Sequence, residues 1–401
     1  MLKNGYHLTY CSNIHPGESW AETYDNLKKF IPKIKQKISP DAPFGIGLRL
    51  SDKASRSLLK GANLQTFKNW LEENQCYVFT LNGFPFGGFH NQSVKDRVHQ
   101  PDWTTEERLG YTLRLFDILT RLLPDGVEGG ISTSPLSYKY WQTVQNDKKE
   151  VLQKATLHVA KIAEKLYNIN QESNQILHLD IEPEPDGLLE NTFEVIDWFK
   201  EWLIPQGTTY LKRQLNFSNE EAEACLKNHI RICYDVCHFA IVYEKPEEVF
   251  QMLAMEGIQV GKIQISAALK VCLPETLKQR EWVRDALAPF VESTYLHQVV
   301  ERDSQGLLTH YPDLPQALEN INNPAAKEWR THFHVPVFLD NYGQLDSTQE
   351  DILQVLKYLK KEKVSNHLEV ETYTWEVLPN DIQLEVVDSI VRELQWVQRN
   401  L

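Results

Sequence analysis

Leu177-His178-Leu179-Asp180-Ile181-Glu182-Pro183-Glu184-Pro185 decides the fold class of this 401-residue chain. Leu177, Leu179 and Ile181 alternate with His178, Asp180 and Glu182. Extended, the segment has one apolar face and one titratable face. Pro183 and Pro185 then end the strand in a turn that still carries Glu184. The same alternation returns in Lys262-Ile263-Gln264-Ile265-Ser266 and in Leu368-Glu369-Val370-Glu371-Thr372-Tyr373.

Working outward, strand-like runs fall at 7–11, 44–50, 77–84, 128–134, 175–182, 231–238, 261–266 and 367–375. Helical patterns lie between them, near 19–38, 63–74, 104–123, 148–168, 188–203, 246–256, 276–289 and 348–361. Strand–helix alternation argues for a parallel sheet covered by helices. A sheet closed into a (β/α)8 TIM barrel sends the apolar faces to the helices and gathers the polar faces on the axis. An open α/β sheet is the competing architecture. Thr104, Ser218 and Ser347, each followed three residues later by Glu, are expected capping boxes. Residues 295–301 and 307–311 read as a β-hairpin inserted after the seventh strand, and 204–229 lengthens the fifth crossover. No linker or repeat interrupts 1–401, which is expected to be a single domain.

Lys and Arg number 42 against 55 Asp and Glu, a net charge of −13. Such a surface repels phosphate backbones, and the chain has no basic run longer than Lys360-Lys361. Nucleic acid is therefore not an expected partner. No apolar run reaches the roughly 18 residues of a membrane span. The six cysteines form no C-x-x-C pair and read as reduced, buried thiols. A cytoplasmic protein acting on a small-molecule metabolite is the expectation.

Four stretches could carry chemistry. Glu182 and Glu184 sit where the fifth strand ends, the face on which barrel active sites are built. Asp235-x-x-His238 follows on the sixth, a carboxylate and an imidazole that suit Mn, Zn or Fe. Glu371 and Tyr373 share an inward face on the last strand, with Trp375 beyond them. There a buried carboxylate needs a cation or a proton. Thr331-His332-Phe333-His334 offers two imidazoles on one side if extended. The N-terminal half adds His7 and His15 around the first strand. It also adds Asn82 and a Phe84-Pro85-Phe86-Gly87-Gly88-Phe89-His90 loop that reads as an aromatic lid. A polar turn, a satisfied core histidine or a buried ion pair would explain each stretch singly. Among them no G-x-S-x-G, P-loop or dinucleotide fingerprint occurs.

Taken together, Glu182, Asp235-x-x-His238, a polar residue on strand seven and Glu371 resemble the xylose isomerase-like superfamily of sugar isomerases, ketose 3-epimerases and endonuclease IV-type enzymes. The strings Leu8-Thr-Tyr-Cys-Ser-Asn-Ile-His15-Pro-Gly-Glu18, Asn82-Gly-Phe-Pro-Phe86, Lys262-Ile-Gln-Ile-Ser266 and Glu371-Thr-Tyr-Thr-Trp375 are similar to the EboE family of metabolite traffic proteins. The resemblance implies a (β/α)8 barrel with a divalent metal (Mn, Zn, Co or Fe), held by Glu182, Asp235, His238, Gln264, His334 and Glu371. Catalysis falls to Glu182 and Glu371. His7, His15, Asn82, His90, Glu184, His332, Tyr373 and Trp375 are left to contact substrate. It also implies pathway proteins as partners. Gln264 departs from the epimerase pattern, which has a histidine there; His332-x-His334 looks like an analogue of the endonuclease IV-type Asp-x-His. Three functions stay open: an isomerase or epimerase, a metal-dependent phosphoester hydrolase, and a non-enzymatic metabolite carrier or scaffold.

Overall fold

The computed structural model describes residues 1–88, 94–142, 145–292, 294–342, 344–374 and 385–401. Its principal sheet begins with a short hairpin, β1 (Leu2–Lys3) with β2 (Tyr6–Tyr10). The rest of it is β3 (Phe44–Arg49), β4 (Cys76–Asn82), β5 (Gly129–Thr133), β6 (Leu177–Ile181), β7 (Ile230–Asp235), β8 (Val260–Ile265) and, last in the chain, β15 (His367–Val370). Their order is β1-β2-β15-β8-β7-β6-β5-β4-β3, parallel apart from the β1–β2 hairpin. Helices intervene as expected for an α/β barrel. The eight expected strands are all present within a few residues of their anticipated bounds.

The seam between β2 and β3 is closed by side chain as well as backbone. The Thr9 hydroxyl donates to Gly45 O at 2.7 Å and accepts from Gly47 N at 3.1 Å, beside a parallel bridge between Cys11 and Gly47. Outward residues such as Leu8, Ile263, Ile265 and Leu368 belong to the core under the helices. Inward residues are polar. Asp180 and His178 meet at 2.6 Å, and Lys262 and Glu369 at 3.2 Å, all four fully buried. Glycines make the room: a Cβ on Gly261 would stand 1.8 Å from Asp180 Oδ1, and one on Gly47 2.3 Å from Glu369 Oε2.

The insertion after the seventh barrel strand is larger than one hairpin. Chain leaving β8 passes through Ser266 into β9 (Ala267–Cys272). It is joined by β10 (Val299–Asp303), β11 (Leu308–Tyr311), β12 (Ala326–Val335), β13 (Asn341–Tyr342) and β14 (Leu345–Ser347). These build a six-stranded antiparallel sheet in the order β11-β10-β12-β9-β14-β13. The expected hairpin is its β10–β11 corner.

Several boundaries move for local reasons. The sixth barrel strand stops at Asp235, not His238, because Asp235 caps a helix, Val236–Ile241, by accepting from His238 N at 3.2 Å. The last strand stops at Val370; Glu371 N still reaches Ile265 O at 3.1 Å, but residues 371–374 are no longer strand. Ser218 makes its capping box, but Thr105 rather than Thr104 caps the helix Glu106–Leu122. Thr104 is held by Asp102 instead. Thr348 rather than Ser347 precedes the helix Gln349–Leu359, with no side-chain cap. Residues 204–229 form two helices, Ile204–Leu215 and Asn219–His229. Cys272 is exposed, against the expectation that every thiol is buried; the other five are. No described helix is long and apolar enough to cross a membrane.

A candidate metal centre at the barrel mouth

The parallel register brings Asp235 level with Gln264 and carries Glu371 one step past Ile265, at the C-terminal end of the barrel. Glu182 follows the end of β6 there. The Nε2 of Gln264 lies 3.0 Å from Glu182 Oε1 and 3.0 Å from Asp235 Oδ2, and it also donates to Glu371 Oε2. An amide has two hydrogens, so three carboxylates share fewer donors than they need. Glu371 Oε1 accepts from Asn13 at 2.7 Å and Asn82 at 3.0 Å. Asp235 Oδ1 accepts from Ser266 at 2.6 Å.

Histidines lie beside the carboxylates. A bulge in β12 between Thr331 and His334 breaks the register with β9 where His332 and His334 stand. These residues are on a strand, not in a loop. Their rings are 5.5 Å apart, and His238 is 4.8 Å from the first and 5.7 Å from the second. Each Nδ1 faces a carbonyl-type oxygen: His238 that of Pro183 at 3.0 Å, His334 that of Glu371 at 2.9 Å, His332 that of Gln298 at 2.9 Å. An Nδ1–H donor leaves Nε2 with a lone pair, the form in which imidazole binds metals.

Burial shapes the charges. It pushes the Glu182 carboxyl well above the usual range, helped by Glu371 and Asp235. It does the same to Glu371, helped by Asp235 and Glu369. Burial would raise Asp235 too, but His238 and His334, with hydrogen bonds from Ser266 and Gln264, hold it below its ordinary value. His332 and His334 are driven toward the neutral form, chiefly by burial.

A divalent cation fits this donor set. Glu182 Oε2, Gln264 Oε1, His332 Nε2 and His334 Nε2 are buried without a hydrogen-bond partner among the described residues. Such orphans are costly unless something satisfies them. Ligand atoms of Glu182, Asp235 and Glu371 lie within 4.8 Å of one another, and so do those of Asp235, His238 and His334. The structure thus brings together all six residues anticipated as metal ligands.

Above the centre a cleft of about 640 Å³ is lined by Asn82, Glu184, His332 and Tyr373 from the expected substrate set, with Phe84 and His99. Two residues of that set lie elsewhere. His7 sits at the opposite end of the barrel, level with His367 and bonded to Tyr77 at 2.8 Å, because it begins the strand that ends at the mouth. His15 stacks on Phe30 at 4.2 Å and bonds Tyr10 at 2.9 Å, packed outside the cleft lining. His90 and Trp375 lie outside the described residues. Of the expected lid, Phe86 packs on Tyr111, 5.0 Å between centroids. His99, unanticipated, arrives on a one-turn segment, Lys95–His99, that no hydrophobic period marks.

No protein-family model matches the chain. No curated protein matches it either. Solved structures do. A xylose isomerase-like TIM barrel protein from Mycobacterium smegmatis, in complex with magnesium, aligns at TM-score 0.51 and 8% identity, over 100% of this chain and 98% of that one. The IolI protein with a bound zinc atom aligns at 0.46 and 12%, over 98% and 96%. A xylose isomerase domain containing protein from Salmonella typhimurium LT2 aligns at 0.45 and 13%, over 99% and 97%. At such identities the likeness is one of fold: a xylose isomerase-like TIM barrel.

Proposed function

We propose that this protein is a divalent-metal-dependent isomerase or epimerase of a small, uncharged, hydroxylated metabolite. The observation that carries the reading is the pair Glu182 and Glu371, two buried carboxyls of raised proton affinity that reach the same amide nitrogen under one cleft. Glu182, Asp235, Gln264 and Glu371 would hold the cation, with His238 and His334 beside them. When bound, Mn, Zn, Co or Fe supplies a Lewis acid that acidifies a C–H next to a polarised oxygen. Glu182 and Glu371 then act as base and acid, one taking a proton from substrate carbon and the other returning one. Asn13 and Asn82 orient Glu371 through its Oε1, and Tyr373 and Phe84 shield the cleft from water.

Charge favours an uncharged substrate. Lys95 is the single Lys or Arg among the described lining residues, and it is engaged by Asp313 at 2.6 Å. The unpaired thiols support a cytoplasmic setting. The strings shared with EboE proteins support a substrate from an operon-encoded pathway, with pathway proteins as partners.

The test is carbon-bound deuterium. Protein reconstituted with Mn2+, Co2+ or Zn2+ is incubated in D2O with a panel of sugars and cyclitols and followed by NMR. Exchange at one carbon is expected, lost in Glu182→Gln and in Glu371→Gln. A second reading, metal-assisted phosphoester hydrolysis, is favoured by Asp235, which belongs to both donor groups, so that the two together would hold the cations such hydrolysis uses. Absence of exchange together with cleavage of bis(p-nitrophenyl) phosphate would transfer the assignment to it.

A further inference from the structure

We infer that His99 is a specificity-determining residue of the mouth cleft, hydrogen-bonded through Nδ1 to one hydroxyl of a polyhydroxylated ligand. This rests on the isomerase or epimerase reading and adds how the substrate is recognised. His99 is 1% exposed and lines the cleft together with Glu182 and Glu371. Its Nε2 lies 2.9 Å from Glu184 Oε1. A lone pair on Nε2 would repel that oxygen, so Nε2 carries the hydrogen and donates to Glu184, which leaves Nδ1 as the ring's remaining hydrogen-bonding atom. Nδ1 is buried and has no hydrogen-bond partner among the described residues.

The ring's surroundings hold it still and offer no substitute donor from their faces. Phe84 stands 5.6 Å from it, Tyr138 5.1 Å and Trp141 6.2 Å, centroid to centroid. Trp141 spends its N–H on Asp96 at 2.7 Å. Glu184 is itself fixed by its place in the turn after β6, where its backbone N–H donates to Leu189 O at 3.2 Å. An orphan polar nitrogen in a packed aromatic setting, at the wall of a cleft, is what a site built to read a hydroxyl requires. Such a site rejects an analogue lacking that hydroxyl, because the buried nitrogen is then left unpaired. The ligand class is a polyol without a phosphate, in keeping with the cation-poor lining.

The test is equilibrium titration of Mn2+-loaded protein with unphosphorylated ketohexoses and inositols and with their singly deoxygenated analogues, followed by tryptophan fluorescence. The unaltered protein is expected to bind one parent compound and to reject one of its deoxy analogues. His99→Phe should bind the parent about tenfold more weakly and no longer distinguish that analogue. His99→Gln, which keeps a polar amide there, should retain part of the discrimination; a merely structural role would not separate the two variants this way. Circular dichroism checks that each is folded. Unchanged discrimination in His99→Phe, or equal loss in folded His99→Gln, overturns the assignment alone. No binding of any panel member by the unaltered protein removes the polyol class and the assignment with it.

Discussion

The amide nitrogen of Gln264 lies 3.0 Å from Oε1 of Glu182, where a cation-binding barrel would be expected to keep its carboxylates for the metal. Gln264 is a hard, neutral donor through Oε1, which is buried and has no hydrogen-bond partner among the described residues. Imidazole nitrogen is the better zinc ligand, and amide oxygen suits Mg and Mn. Gln264→His should therefore raise Zn2+ affinity relative to Mn2+ by roughly tenfold or more. Competition with a chromophoric chelator measures it; an unchanged Zn/Mn ratio would remove Gln264 from the ligand set.

Lys262 and Glu369 form an ion pair at 3.2 Å with neither side chain exposed. Burial alone would weaken the hold on the Lys262 proton, but Glu369, together with Cys233, Cys11 and Glu182, more than offsets it and the ammonium is held. Removing one partner leaves a buried charge. Lys262→Met should cost about 3–5 kcal/mol in urea unfolding, and Lys262→Met with Glu369→Leu substantially less. Equal losses for the single and double variants would show that the charge is not what matters there.

Asp180 is pinned by His178 against the bare backbone of Gly261. Gly261→Ala should destabilise by roughly 3 kcal/mol through overpacking. Asp180→Ala in the same chain should recover a large part. A double-mutant cycle reads the coupling, and additive losses would contradict the contact.

Glu393 lies buried on the C-terminal helix Val386–Asn400, accepting from Thr372 at 2.7 Å and from Val337 N at 3.2 Å. It braces the chain just beyond Glu371 and His334. Burial pushes its carboxyl up from about 4.5 to about 8, against those two hydrogen bonds. The folded chain thus keeps a proton that the unfolded chain has released. Its contribution is whole below the lower value and declines as pH rises to the upper one. Glu393→Gln should flatten that decline and unfold at a higher temperature than the unaltered protein at pH 8. A melting curve series between pH 4.5 and 8.5 checks both.

Much of this was legible because barrel strands obey a local rule. Leu177 to Glu182, Lys262 to Ser266 and Leu368 to Glu371 alternate strictly, and alternation puts their polar residues on the axis whatever the loops do. Glu182, Asp235, Gln264 and Glu371 follow from strand ends alone. His7 misled because a strand has two ends, and residue type does not say which one faces the mouth. The six-stranded insertion was hidden because its strands come from separate stretches and pair antiparallel over long separations, with no shared period. His238 reads as strand from sequence because Asp235 works both as a strand end and as a helix cap. His99 left no trace, since one turn of helix has no periodicity to read and its partner, Glu184, is 85 residues away.

The central claim is that Glu182, Asp235 and Glu371 are gathered to hold a divalent cation. Elemental analysis after reconstitution with Mn2+, Co2+ or Zn2+ and exhaustive dialysis tests it most directly. The account predicts at least one tightly held ion per chain, falling to about a tenth or less when Glu182→Gln and Glu371→Gln are combined. A reconstituted, folded protein with no stoichiometric metal, or a double variant that keeps its full complement, would contradict it.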